Sequence, residues 1–262
     1  MVTLVNPARE RLEAGEVSIG IGIRLARTAD IAPMMKTAGM DWMFIDLEHG
    51  PLTLDQTQQI SSAALSAGIA SLVRVPKGEV GMATRALDGG ALGIVMPSCE
   101  NADEAREIVD RLSYPPVGRR SVVGGLPQFG FGAPDLGEVI EALNRAVLIV
   151  VMVETPNAIA NVDEIAAVEG VDVVMIGTND LAAASGLPGQ VGHEQIVANY
   201  EAVAAACKKH GKWMGMGGVP SPELQQKYIS MGVRFVLAGQ DMSYLIAMAR
   251  NTVDRVRDYT LD

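Results

Sequence analysis

Short apolar runs rich in Val, Ile, Leu and Met recur along the chain, and between them lie longer stretches whose apolar residues repeat at helical spacing. The runs occupy 17–23 (VSIGIGI), 41–46 (DWMFID), 70–75 (ASLVRV), 92–97 (LGIVMP), 147–153 (VLIVVMV), 172–176 (DVVMI), 212–216 (KWMGM) and 234–238 (RFVLA). Runs this short and this continuously apolar read as strands of a parallel sheet covered on both faces. The spacing predicts helices over 28–39, 53–67, 79–88, 101–112, 137–145, 158–168, 193–210 and 221–231, with a last one near 241–257. Eight strand-then-helix alternations in 262 residues predict a single domain, 1–262, folded as a closed α/β barrel, the (β/α)8 TIM barrel, rather than an open sheet.

Helix starts carry capping chemistry. Ser221-Pro222-Glu223 places an N-cap before a first-turn proline, and Asn101 with Glu104 three residues on resembles a capping box. One stretch breaks the rhythm: residues 113–136 (SYPPVGRRSVVGGLPQFGFGAPDL) are rich in Gly and Pro and too long for an ordinary connection, the mark of a functional loop.

Composition narrows the function. The residues are 48% hydrophobic but only 4% aromatic, so the core has to be built from aliphatic side chains and Met. A formal charge of −10 with no basic run argues against a nucleic-acid partner. It also repels an anionic small substrate, which would need a local Arg or metal ion to enter. Cys99 and Cys207 have neither metal-type spacing nor the number for a disulfide framework, which points to a reducing, cytoplasmic setting. The opening MVTLVNPARERLEAGE lacks the apolar stretch of a signal peptide, and no apolar run reaches the roughly 20 residues that span a bilayer, so no membrane partner is expected.

In a barrel the reactive groups stand where strands end, so charged residues directly after apolar runs are the ones to collect. They are Asp46, Glu48 and His49 after the second run, Arg74 at the end of the third, Glu154 after the fifth and Asp180 just beyond the sixth. Glu154 follows seven apolar residues without a turn between, where a lone carboxylate is costly; it serves either a ligand or a rim salt bridge. Asp180, in GTND, either converges on the same ligand or caps a helix. Two carboxylates from neighbouring strand ends would make an oxygen-only site suited to Mg²⁺ or Mn²⁺. His49 reads as a general base or a plain loop histidine, and Arg74 as an anion receiver or the structural partner of a carboxylate such as Glu48. Asp88 reads as a helix-ending residue, Arg119-Arg120 as loop anchors or anion contacts, His193 and His210 as solvated, and GMGG at 215–218 as a weak phosphate cradle.

Taken in order, FIDLEHGP, SLVRVP, LDGGALGIVMPSCENADEAREIV, YPPVGRR, VMVETPNAI and EGVDVVMIGTNDLA resemble the signature segments of the HpcH/HpaI family. These are class II pyruvate aldolases typified by 2,4-dihydroxyhept-2-ene-1,7-dioate aldolases, and the match runs from about residue 17 to residue 245. The resemblance implies a barrel of the phosphoenolpyruvate/pyruvate-domain type. It implies a divalent metal on Glu154 and Asp180, with Mg²⁺ or Mn²⁺ first and Co²⁺, Ni²⁺ or Zn²⁺ as alternatives. Arg74 would contact the pyruvate carbonyl or enolate oxygen, and His49 would belong to the acid/base machinery. Asp88 would orient His49, Asp46 would hold a water on the metal, and backbone N–H groups around Asn179 and Asp180 would receive the substrate carboxylate. A homo-oligomer, often a hexamer, is implied as well, with loop 113–136 and the C-terminal helix shaping the acceptor pocket. Three positions depart from the family pattern: Met152 where Gln is frequent, Thr178 where Pro is common and Ser121 where Gly is common. They leave the acceptor preference open.

The chemistry so implied is aldol cleavage or formation of 4-hydroxy-2-keto acids, from a pyruvate-type enolate and an aldehyde. A Schiff-base mechanism would need a lysine in the barrel mouth, and Lys77, Lys208, Lys209 and Lys212 all fall elsewhere. An oxaloacetate-type decarboxylase would use the same residues. A citrate-lyase-type CoA-ester lyase would need basic contacts for CoA. A non-catalytic binding module would survive the loss of Glu154.

Overall fold

The computed structural model describes residues 2–259. Eight parallel strands close into a barrel in chain order: β1 (Ser18–Ile23), β2 (Trp42–Asp46), β3 (Ala70–Arg74), β4 (Gly93–Met96), β5 (Leu148–Val153), β6 (Val173–Gly177), β7 (Trp213–Gly217) and β8 (Val233–Gln240), with β8 pairing back onto β1. All the predicted strands form, and β8 runs on to Gln240. The helices are α1 (Pro7–Glu13), α2 (Ile31–Thr37), α3 (Leu54–Ala67), α4 (Val80–Asp88), α5 (Ala102–Leu112), α6 (Leu136–Ala146), α7 (Pro156–Ala160), α8 (Val162–Ala166), α9 (Thr178–Ala184), α10 (Glu194–His210), α11 (Pro222–Ser230) and α12 (Asp241–Arg257).

The strands bury residues on both faces, as the continuous apolar runs require. Outward residues such as Met43, Ile45 and Val151 pack under the helices, while Trp42, Phe44, Leu72, Val150, Met175 and Phe235 fill the barrel. The Trp42 and Phe235 rings stack with centroids 3.9 Å apart. Gly20 leaves the space for Trp42, since a side chain there would overlap the indole.

Apolar periodicity misses two helices, both too short to show it. The Asn6 side chain caps α1 by accepting from the Ala8 and Arg9 N–H groups, while its own Nδ2 donates to the Leu92 and Ala146 carbonyls. Ala8 and Leu12 of α1 then join the barrel interior at the strand-start end. The other is α9, which begins directly at the end of β6. The predicted 158–168 helix is divided into α7 and α8 at Asn161. The Ser221 expectation holds, with its Oγ accepting from Leu224 N–H ahead of a first-turn proline; the Asn101 one holds in part, since Asn101 accepts from Glu104 N–H but the Glu104 carboxylate turns to Glu100 N–H rather than completing the box.

Residues 113–136 lie toward the strand-start end. Tyr114 exchanges hydrogen bonds with Asn144, Gln128 donates to the Leu87 carbonyl, and Arg119 and Arg120 anchor the segment to Asp110 and Asp88. The arginine pair is therefore a set of loop anchors.

Candidate active site

Strand alternation builds the site. Successive inward positions read Trp42-Phe44-Asp46 on β2, Ala70-Leu72-Arg74 on β3, Leu148-Val150-Met152-Glu154 along β5 and Val173-Met175-Gly177 on β6. Each series is apolar inside the barrel and changes character at its top. There a cavity of about 260 Å³ opens, lined by Arg24, Phe44, Asp46, His49, Arg74, Met152, Met175, Asn179, Asp180, Leu237 and Gln240 among others.

Asp46 and Arg74 are register partners across β2 and β3. Arg74 Nε donates to Asp46 Oδ1 at 3.0 Å and Nη2 to Oδ2 at 2.6 Å, and the guanidinium lies 5.0 Å over the Phe44 ring. Asp46 Oδ1 also accepts from the N–H groups of Glu48 and His49, each at 3.1 Å. Burial alone would raise the Asp46 carboxyl, but the Arg74 bonds and charge and the two turn N–H groups outweigh it and hold the group below its ordinary value. Asp46 Oδ1 is thus engaged in fixing Arg74 and the turn that carries His49, while Oδ2 takes a single hydrogen bond, from Arg74. Arg74 Nη1 stays 3.2 Å from Glu48 Oε2, so the alternative of carboxylate pairing is realised with two partners.

Glu154 stands at the edge of the cavity, against Gly177. Its Oε1 accepts from both the N–H and the hydroxyl of Ser98, while Oε2 is buried with no hydrogen-bond partner. Burial, the largest influence, pushes this carboxyl up; the Ser98 bonds oppose it, and the charges of Asp180 and Glu48 add to it. A side chain at Gly177 would overlap Oε2, so glycine there leaves room for the oxygen. Asp180 sits in the first turn of α9, where no side chain caps the helix, and its carboxylate makes no hydrogen bond among the described residues. It is exposed at the mouth.

These groups fit a divalent cation: two mutually repelling carboxylates, one with a bare buried oxygen. Among the described residues no third His, Cys, Asp or Glu joins them, so water or substrate oxygens would fill the remaining positions, as a hard cation tolerates.

His49 is half-exposed, with its Nε2 3.7 Å from Glu48 Oε2. Asp88 is not with it. In a βαβ unit the helix runs back from the strand tips, so Asp88, the last residue of α4, arrives at the opposite end of the barrel and pairs with Arg120 at 2.6 Å. Within one chain it cannot orient His49; the nearest acid to that ring is Glu48. The GMGG stretch contributes Gly217 and Gly218 to the cavity lining. Side chains at Gly217 and Gly218 would collide with Met175 and Asn179, so these glycines make room for the cavity wall. Thr178 donates to the Gly217 carbonyl and shares a hydrogen bond with Tyr200, tying β6 to β7 and α10. His193 caps α10, and His210 pairs with Asp163, both away from the mouth. No residue of 113–136 or of α12 lines the cavity of its own chain.

Two contributors escape sequence reasoning. Ser98 lies within one of the segments quoted above, but neither its residue type nor its spacing marks it; its φ is 52°. Arg24 follows β1 directly and meets the strand-end criterion, yet is absent from the set collected above.

The HpcH/HpaI aldolase/citrate lyase model matches residues 25–247. A 4-hydroxy-4-methyl-2-oxoglutarate aldolase of Hapsidospora irregularis, tasA, is 38% identical over 266 residues, covering 100% of this chain and 98% of the relative. A 2-keto-3-deoxy-L-rhamnonate aldolase of Escherichia coli O6:K15:H31 is 33% identical over 241 residues, covering 91% and 88%. The crystal structure of an HpcH/HpaI aldolase from Desulfitobacterium hafniense DCB-2 superposes with a TM-score of 0.92 at 28% identity, covering 98% of each chain. With the barrel, the strand-end carboxylates and these end-to-end likenesses in agreement, the chain belongs to the HpcH/HpaI aldolase/citrate lyase family and is a carbon–carbon lyase.

Proposed function

We propose that the protein is a metal-dependent aldolase that makes or cleaves 4-hydroxy-2-keto acids through a pyruvate-type enolate. The observation that carries this is the bare, buried Oε2 of Glu154 beside Asp180, with Arg74 across the same mouth. A divalent cation held by Glu154 and Asp180 supplies a Lewis acid for the C2 carbonyl of the keto acid.

The protein groups do the rest. Uncapped N–H groups of Asn179 and Asp180 in the first turn of α9 receive the substrate carboxylate. Arg74, held rigid by Asp46, puts positive charge where the C2 oxygen becomes an enolate. In cleavage His49, directly or through water, takes the C4 hydroxyl proton; the C3–C4 bond breaks, its electron pair stays on C3, and the aldehyde leaves. Protonation of C3 then gives pyruvate. No lysine lines the cavity among the described residues, which supports enolate over Schiff-base chemistry.

The working form is a homo-oligomer. Support comes from α12, a 17-residue helix with no buried residue that carries Leu245, Ile246 and Met248 in the open. Two buried, unpaired thiols support a cytoplasmic setting, and among the described residues no helix is long and apolar enough to cross a membrane.

The test is removal of metal with a strong chelator followed by assay of pyruvate release from a 4-hydroxy-2-keto acid. Loss of activity with recovery on Mg²⁺ or Mn²⁺ is expected; undiminished turnover in metal-free protein overturns the proposal.

A further inference from the structure

Arg24 lines the cavity and takes no part in the chemistry above. It follows β1, and in a closed ring of eight strands β1 stands diametrically across from β5, after which Glu154 comes. Its position is built. The Asp241 carboxylate accepts from the backbone N–H groups of Arg24 at 3.2 Å and of Leu25 and Ala26 at 2.8 Å each, clasping the turn after β1 to the start of α12.

The guanidinium is oriented but not saturated. Nη2 donates to the His49 carbonyl at 2.6 Å and Nε lies 3.6 Å from Asp46 Oδ2, while Nη1 has no partner among the described residues. Asp46 is a weak counter-charge for it, being already engaged twice by Arg74. Beside Arg24 the Gln240 side-chain amide also lines the cavity without a hydrogen-bond partner among the described residues. The same cavity is lined by the apolar side chains of Phe44, Met152, Met175 and Leu237 and, next to Arg24, by Asp46 and Arg74.

We propose that Arg24 selects the acceptor, and that the acceptor is an aldehyde bearing its own carboxylate, received by Arg24 Nη1 and the Gln240 amide. This rests on the aldolase reading. A 4-hydroxy-2-keto acid with its C1 carboxylate and C2 oxygen at the β5–β6 pole extends its C4 end across the mouth, toward β1 and β8. A carboxylate at that end gains a charge-assisted hydrogen bond from a guanidinium already held in place; an uncharged chain gains nothing equivalent. If Arg24 were only a tether for His49, its loss would harm every substrate alike. Selection makes the loss depend on the acceptor's charge.

The test measures kcat/KM for addition of pyruvate, with Mn²⁺ present, to glyoxylate and succinic semialdehyde against glycolaldehyde and butanal, in the unaltered protein, Arg24→Met and Arg24→Lys. The preference for carboxylated acceptors should fall roughly tenfold or more in Arg24→Met, chiefly through acceptor KM, and recover in part in Arg24→Lys. Equal losses for both classes, or an unaltered preference, overturn the assignment. Exchange of pyruvate methyl protons with deuterium, followed by NMR without acceptor, separates the two levels. No exchange in the unaltered protein overturns the enolate reading itself, whereas exchange with an unaltered preference overturns the role of Arg24 alone.

Discussion

The backbone N–H and the hydroxyl of Ser98 end on the same oxygen of Glu154, at 2.7 and 2.8 Å, and leave the other oxygen bare. Ser98 reaches this geometry at a φ of 52°, a left-handed conformation that costs a side-chain-bearing residue about 1–3 kcal/mol. The strain sits where it fixes which carboxylate oxygen is bound and which is left without a partner. Ser98→Ala keeps the N–H bond and removes the hydroxyl, so Mn²⁺ affinity should weaken roughly tenfold, the lower end for losing a partner of a metal ligand. Titration of free Mn²⁺ by EPR reads this directly, and an unchanged affinity would rule out an orienting role for the hydroxyl.

Gly177 guards the second oxygen. A Cβ at this position would overlap Oε2 and lie 3.1 Å from both Glu154 Cβ and Met152 Cε. Gly177→Ala should displace the carboxylate and lower kcat by about a hundredfold, with a stability loss of about 1–3 kcal/mol from overpacking. Steady-state kinetics beside a denaturant melt distinguish a displaced ligand from an unfolded protein. Full activity in a folded variant would mean that Glu154 is not a ligand.

Most of this site is legible because the strand period is two. Asp46, Arg74 and Glu154 each stand two residues beyond an inward apolar residue, so period and polarity together mark them. Arg24 obeys a looser form of the same rule, directly after β1. Asp88 was readable as a helix-ending residue, and the back-running helix of a βαβ unit carries it away from the strand tips; only the resemblance sends it to His49. Ser98 lies beyond such reasoning, since its backbone conformation depends on a loop whose shape comes from distant contacts. One of these is Glu100, which takes hydrogen bonds from Thr155 and Asn157.

The two thiols give a test independent of catalysis. Burial pushes both Cys99 and Cys207 up to about 12, with the Glu104 charge adding to the effect at Cys99. Thiolate is the reactive form, so in the folded protein near pH 8 both should react about three orders of magnitude more slowly with an aromatic disulfide reagent than after unfolding. Rapid modification of either in the native protein would contradict its buried placement.

The Asp46–Arg74 pair carries a stability signature with a definite sign. The Asp46 carboxyl is held below its ordinary value of 3.8 in the fold. Its stabilising contribution is therefore complete above the unfolded value and is lost as pH falls through the folded one. Asp46→Asn leaves the buried Arg74 with Glu48 as its remaining charged partner. The variant should lose about 3 kcal/mol near neutral pH, the lower end for breaking a buried ion pair because Glu48 remains. Below about pH 4 the unaltered protein begins to lose the same contribution, and the gap between the two should close. Urea melts across that range read the gap as a function of pH. Convergence on acidification is expected, whereas a gap that persists undiminished well below pH 4 would assign the loss to packing rather than to the Asp46 charge.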